Sequence, residues 1–131
     1  MKKIILTIVI SLISIYSFSQ TQYDMNQEEN DKFKLADKEL NSTYQKILKE
    51  YKTDTAFLKN LKISQNIWIK FRDAEMKTKY PDRGAGYYGS VQPMCWSIHL
   101  TQLTNERTND LKIWLTGIEE GSVCSGSVNI K

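Results

Sequence analysis

Three stretches of this chain carry mostly apolar side chains at alternating steps of three and four residues, and neither glycine nor proline interrupts them. This spacing places the side chains on one face of an α-helix. The faces comprise Phe33, Leu40, Tyr44, Ile47 and Tyr51 in the first stretch; Leu58, Leu61, Gln65, Trp68, Arg72 and Glu75 in the second, widened by Phe57, Ser64 and Phe71; and Trp96, Leu100, Leu103, Arg107, Leu111 and Trp114 in the third. The pattern predicts an all-α fold.

Local signals predict where the first two helices begin and end. Asn26 is the expected cap of the first helix, because the acidic residues that follow it suit the positive end of a helix dipole. The second helix is expected to start after Asp54. It must end before Pro81, since the residue that precedes a proline avoids the helical region.

The third helix is expected from about Met94 to Leu115, with Gly117 as its stop. Three helices of similar length joined by short connections favour a small antiparallel bundle of three main helices. The tail over 119–131 is rich in serine and glycine, so we expect it to be irregular.

Residues 1–19 have the three-part layout of a secretory signal. A basic start precedes an almost unbroken apolar run over 4–15, and Ser17 and Ser19 place small side chains at a cleavage site. A membrane anchor is the alternative, but the run is shorter than the about 20 residues that a span requires. No cysteine follows the run closely, so we expect no lipid anchor. The sequence predicts an exported protein, periplasmic or secreted, with one domain over 20–131.

Charge and composition argue against several classes of function. The 18 basic residues exceed the 15 acidic ones, and removal of Lys2 and Lys3 with the signal leaves 16 against 15. A charge balance this weak does not favour a nucleic-acid partner. One histidine, His99, and two cysteines are too few for most metal sites. No nucleophile–base pair or phosphate loop is recognisable, so we expect no enzyme, no cofactor and no metal.

Cys95 and Cys124 are the two cysteines of the chain. Oxidising compartments outside the cytoplasm allow disulfides, so export favours a Cys95–Cys124 bridge that pins the tail to the start of the third helix. Closing a loop of about thirty residues in this way contributes roughly 3–4 kcal/mol in the chain-entropy estimate. Two unpaired thiols are the alternative.

Polar side chains fall within the three helical faces. They are Asp37 in the first, Gln65 and Arg72 in the second, and Arg107 in the third. Because a buried charge is costly unless it is paired, we expect Asp37 to pair with Arg72 or Arg107. We favour a structural network that fixes the helix register, and a polar functional site within the bundle is the alternative.

An ordered set of short segments resembles a known family. The segments are Asp24-Met25-Asn26, ADKELN over 36–41 with Tyr44, QNIWIKFRDAE over 65–75, Gly89-Ser90 with Pro93-Met94, and LTNER over 103–107 with Leu111. In this order and spacing, the chain from about Asp24 to Leu115 resembles the LprI-like lysozyme-inhibitor domain family. The resemblance implies a small exported helical domain whose partner is a lysozyme, and it implies no oligomeric state.

Inhibition of a lysozyme requires an exposed group that enters a cleft working with two carboxylates. The loop over 81–93 is the natural candidate, because Arg83, Tyr87, Tyr88 and Ser90 lie there on a glycine-rich backbone. The alternative is that the two tyrosines only pack the loop onto the bundle. An envelope structural or interaction protein with no lysozyme role is the alternative function.

Overall fold

The computed structural model describes residues 2–121 and 123–130, and for residues 2–20 it describes the backbone alone. It contains three α-helices: α1 (Lys2–Glu50), α2 (Thr55–Lys79) and α3 (Gln92–Thr116). The predicted all-α fold is confirmed. Within this part of the chain, none of the helices combines the length and the hydropathy needed to cross a membrane.

The expected start of the first helix at Asn26 is wrong, since α1 already begins at Lys2. No glycine or proline precedes Asn26, and extending an existing helix costs far less than nucleating a new one. The predicted signal segment, residues 1–19, lies outside the residues whose side chains are described, and its removal stays a prediction.

The ends of α2 and α3 follow the predicted signals. Asp54 caps α2, because its Oδ1 accepts a hydrogen bond from the Phe57 amide at 2.9 Å. α3 carries Pro93 in its first turn, where the missing amide hydrogen is no loss. Gly117 follows α3 with a φ of 76°, a left-handed conformation that glycine adopts without strain.

Aromatic contacts at the two ends of the bundle give the helix directions. At one end, Phe57 of α2 lies 4.7 Å from Trp114 of α3 between ring centroids. At the other end, Tyr80 lies 5.6 Å from Trp96, so α2 runs antiparallel to α3. Tyr51, just beyond α1, meets Trp114 edge-on at 6.1 Å, so α1 and α3 end together. These contacts are those of an up-down-up bundle.

The tightest packing in the bundle joins α1 to α3, and α2 makes far less contact with α3. We call the joint between α1 and α3 the seam. The buried side chains that lie along it are Ala36, Leu40, Thr43 and Ile47 of α1 and Ser97, Thr104, Thr108 and Leu111 of α3. Many of these are small, and the size of the side chains at a contact sets the distance between two helix axes. The composition of the seam therefore favours a close approach.

Two threonine hydroxyls of α3 bond back to their own helix. The Thr108 hydroxyl donates to the Thr104 carbonyl oxygen at 2.9 Å, and the Thr101 hydroxyl donates to that of Ser97 at 2.8 Å. Such bonds to the preceding turn allow serine and threonine to be buried in a helix. Thr104 differs, because its side chain is fully buried and its hydroxyl has no hydrogen-bond partner among the described residues.

Apart from residues that widen the second face, all members of the three predicted faces are buried or half-buried. In α3, however, the buried residues Ser97, Thr104 and Thr108 lie outside the predicted face. Phe57 is half-buried as well. Ser64 and Phe71, which were expected to widen the face of α2, are exposed instead. α2 contacts its neighbours through a narrower strip than its sequence predicts.

The Cys95–Cys124 bridge is not formed, because both residues are free thiols. The tail is held at the far end of α3, where Ile118 follows the helix and the Asn129 amide donates to the Tyr51 hydroxyl at 3.2 Å. Cys95 lies about 30 Å from that end at the 1.5 Å rise of an α-helix. The few residues between Ile118 and Cys124 cannot span this distance at about 3.6 Å each, and a disulfide needs Cα atoms within about 7 Å.

Substitution of Thr104 tests how tightly the seam is packed. Thr104→Val keeps the branched shape and removes an unpaired hydroxyl, so the free energy of unfolding should stay equal or rise by up to about 1 kcal/mol. Thr104→Leu adds volume that a close joint cannot accept, so the free energy of unfolding should fall by about 1–3 kcal/mol. Urea unfolding of both variants beside the parent measures the difference. A clearly destabilised Thr104→Val variant would contradict this account of the seam.

Candidate functional site

The loop between α2 and α3, residues 80–91, is folded into consecutive turns. The Tyr87 amide donates to the Gly84 carbonyl oxygen at 3.1 Å, and the Gly89 amide donates to that of Gly86 at 3.0 Å. Gly86 and Gly89 have φ values of 78° and 71°. Residues that carry a side chain rarely adopt this left-handed backbone conformation. The two glycines therefore permit the path that the backbone follows.

An aromatic cluster holds the base of the loop. The Tyr80 ring lies 5.6 Å from the Trp96 ring and meets the Tyr88 ring edge-on at 5.6 Å. The Tyr88 hydroxyl donates to the Pro81 carbonyl oxygen at 2.8 Å. Burial raises the pKa of the Tyr80 phenol, and the neighbouring Cys95 and Tyr88 raise it further. Tyr88 therefore packs the loop onto the bundle, which is the alternative role considered for the two tyrosines.

Arg83 and Tyr87 form an exposed tip above this base. Tyr87 is 68% exposed, and its ring meets the Tyr88 ring edge-on at 4.9 Å between centroids. The Arg83 guanidinium carbon lies 5.6 Å from the centre of the Tyr87 ring, which is within the range of a cation–π contact. The tip thus presents a cation and an aromatic ring together, with Tyr88 supporting them from below.

An open cleft of about 310 Å³ lies against the loop. Its walls include the aromatic rings of the base, the Arg83 side chain and Lys77 of α2. This volume is near the lower limit of the roughly 300–1,000 Å³ typical of ligand sites. The cleft can therefore receive a small group or a side chain from a partner.

Ser90 contributes its backbone to the scaffold. Its carbonyl oxygen accepts a hydrogen bond from Asn26 Nδ2 of α1 at 3.3 Å, while Asn26 Oδ1 accepts from Gln22 at 2.9 Å. The loop is therefore tied to α1 as well as to the helices that it joins. Of the four residues predicted for partner binding, Arg83 and Tyr87 project from the loop, whereas Tyr88 and Ser90 anchor it.

The expected ion pairs of Asp37 with Arg72 or Arg107 do not form among the described residues. Asp37 accepts instead from Asn41, one turn further along α1, at 3.0 Å. Arg72 pairs with the adjacent Asp73 at 2.9 Å, and its guanidinium carbon lies 5.4 Å from the centre of the Trp68 ring. These side chains are half-buried rather than buried. Long half-buried side chains can direct their charged ends to the surface, so the desolvation that would have enforced pairing is incomplete.

Gln65 and Arg107 do come together between α2 and α3. Arg107 Nε donates to Gln65 Oε1 at 3.0 Å, and Arg107 Nη2 donates to Ser64 Oγ at 3.2 Å. Removal from water lowers the pKa of the half-buried Arg107 guanidinium, and Asp110 partly opposes this effect. This bond joins α2 to α3. Its role in fixing the helix register, which the sequence favours, stays a prediction.

Comparison with known proteins identifies the family. Residues 16–111 match the family described as lysozyme inhibitor LprI. The chain belongs to the LprI family. A relative in Rhizobium meliloti (strain 1021), described only as an uncharacterized protein, is 33% identical over 104 residues, which cover 70% of this chain and 72% of the relative. No solved structure matches the chain.

The segments that suggested the LprI family are linked by hydrogen bonds in the structure. Asn26 of the first segment bonds to Ser90 of the fourth, and Gln65 of the third bonds to Arg107 of the fifth. Residues 83–88, which include the exposed tip, lie outside all of these segments. The segments of the resemblance thus contribute bonds to the scaffold, and the family match over 16–111 also spans the tip.

The two arginines of the bundle are expected to differ in their contribution to stability. Arg107→Ala removes two hydrogen bonds and leaves the buried Gln65 oxygen without its partner, so the free energy of unfolding should fall by about 1–3 kcal/mol. Arg72 pairs with an exposed carboxylate, and such pairs contribute about 0–1 kcal/mol. The contact of Arg72 with the Trp68 ring contributes about 0.5–1 kcal/mol more, so we expect a smaller loss for Arg72→Ala. Urea unfolding of both variants compares them. An equal or larger loss for Arg72→Ala would show that the pairing described here does not govern their stability.

Proposed function

We propose that this LprI-family chain is an exported binding protein that inhibits a lysozyme through the tip of the loop between α2 and α3. Family membership supports the class of partner. The observation that carries the choice of surface is the exposed Arg83–Tyr87 pair, held by Tyr88 on a loop whose backbone is already ordered.

The tip has the chemistry that a lysozyme cleft requires. Glycosidases of this kind use two carboxyl groups beside the scissile bond, and the Arg83 guanidinium makes charge-assisted hydrogen bonds to such groups. Tyr87 supplies contact area with few rotatable bonds. Because the turns and the aromatic base order the loop in advance, binding loses little conformational entropy.

Inhibition by this route is binding rather than catalysis. The tip occupies the cleft and excludes the sugar chain, so no covalent step is required of the inhibitor. The proposed role therefore assigns no enzymatic activity to the chain.

Export is part of this proposal, because lysozymes act on the cell wall. The support for it is the signal-like layout of residues 1–19. Intact-mass analysis of protein recovered from outside the cytoplasm should give a chain that begins at or near Gln20. A mass that still contains Lys2 and Lys3 would contradict cleavage.

The outer face of α2 supports a second candidate, an envelope interaction protein with no lysozyme role. Ile63, Ile67 and Phe71 follow one another at steps of four residues and are 48%, 60% and 53% exposed. Residues at this spacing share one face of a helix. An exposed apolar strip of this kind is a feature of surfaces that bind other proteins.

An inhibition assay with a double variant tests the proposed surface. Hydrolysis of bacterial cell walls by several types of lysozyme is measured with the parent and with Arg83→Ala/Tyr87→Ala. We expect the parent to inhibit at least one type and the double variant to lose at least tenfold in potency. Its melting temperature should remain close to that of the parent, because both side chains are exposed.

Ile67→Ala/Lys70→Ala is the matched control, because it removes one exposed apolar side chain and one cation from the outer face of α2. This variant should inhibit like the parent. Inhibition that survives loss of Arg83 and Tyr87 but not of Ile67 and Lys70 would transfer the site to α2. Absence of inhibition by the parent would reject the lysozyme role and favour the second candidate.

A further inference from the structure

A groove of about 290 Å³ lies between α2 and α3 at the end of the bundle that is remote from the loop. Its apolar walls include Phe57, Leu61, Leu111 and Trp114, and Arg107 lies at its edge. The Phe57 and Trp114 rings are in contact at 4.7 Å. Residues on both helices therefore form a continuous aromatic and aliphatic surface beside one cation.

The hydrogen bonds of Arg107 leave much of its binding capacity unused. Its two acceptors in the structure, on Gln65 and Ser64, are both neutral oxygens. Among the described residues, Arg107 forms no ion pair, because no carboxylate oxygen lies within 4.0 Å. An arginine carries five N–H donors in a planar fork, and only Nε and Nη2 are engaged here. A half-buried cation that forms no direct ion pair favours the arrival of an anion.

We propose that this groove binds a small carboxylate that carries an apolar or aromatic group. The carboxylate lies against the Arg107 guanidinium, whose fork matches the geometry of a carboxylate. The apolar group lies against Trp114 and Phe57. The volume is at the lower end of the range for ligand sites, which fits one ring or one aliphatic chain rather than a larger molecule.

Two sources supply this chemistry: a free organic acid, or the terminal carboxylate of a peptide that ends in an apolar residue. Both offer the same pair of groups to the groove. The proposal is independent of lysozyme inhibition, because Arg107 lies about 20 Å along α3 from the start of that helix at 1.5 Å per residue.

Substitution of Asp110 provides a control that should strengthen binding, whereas substitution of Arg107 should weaken it. Asp110 is exposed and lines the same groove, and it interacts electrostatically with Arg107. Its negative charge opposes the binding of a carboxylate. Asp110→Asn should therefore tighten carboxylate binding by about two- to fivefold, the range expected of an exposed charge pair, whereas Arg107→Gln should weaken it.

Calorimetric titration with matched ligands tests the proposal. The probes are 3-phenylpropanoate and its neutral amide, together with a tripeptide ending in phenylalanine, with a free or an amidated carboxyl terminus. We expect at least one acid to bind at least ten times more tightly than its own amide. In Arg107→Gln this preference should disappear. The indole N–H resonance of Trp114 in NMR spectra should shift on binding.

A second variant, in which a large side chain fills the groove, keeps the test valid if Arg107→Gln is poorly folded. Asn60 is exposed and lines the groove, so Asn60→Phe should fold like the parent and lose binding. Binding of the free acid alone identifies a small metabolite as the ligand class, and binding of the free-terminus peptide alone identifies a chain end. Equal binding of acids and amides, or no binding of either acid, would overturn the proposal.

Discussion

The close packing of α1 against α3 is the contact on which the rest of the structure depends. The buried face of α3 uses serine and threonine where most bundles use large aliphatic residues, and the hydroxyls of Thr101 and Thr108 bond back to their own helix. Side chains of this size let the two helices approach closely, and bonds to the preceding turn allow hydroxyls to be buried; the Thr104 hydroxyl is buried without such a bond. A domain of this length has a small core, so one dense joint matters more than it would in a larger protein.

With α1 and α3 joined, α2 needs only a narrow strip of contacts to stay in place. Leu61 and Met76 are its buried apolar residues, and the Gln65–Arg107 bond joins it to α3. Its outer face stays exposed as a consequence. The loop after α2 is held separately, by the aromatic base around Tyr80 and by the bond from α1. Both candidate binding surfaces, the loop tip and the outer face of α2, therefore depend on how α2 is attached to the rest of the bundle.

Helical periodicity predicted which residues turn inward, but it could not give their depth or their partners. Thr104 and Thr108 were missed because they are polar and lie outside the apolar pattern of the sequence. In the structure they are buried beside the apolar face of α3. The pairing of Asp37 with an arginine failed because Asp37 and Arg72 have partners on their own helices, whereas Arg107 bonds to neutral groups of α2. In the loop, sequence marked Tyr87 and Tyr88 alike, and only the turns around them separate an exposed ring from a supporting one.

The central claim is that the seam and the aromatic base present a preformed loop tip to the target. NMR titration tests it, with labelled protein and an unlabelled lysozyme that responds in the inhibition assay. We predict that amide resonances over 83–88 shift or broaden first. Resonances of the outer face of α2, residues 63–71, should remain in place. The reverse pattern, with changes over 63–71 and an unperturbed loop, would contradict this account.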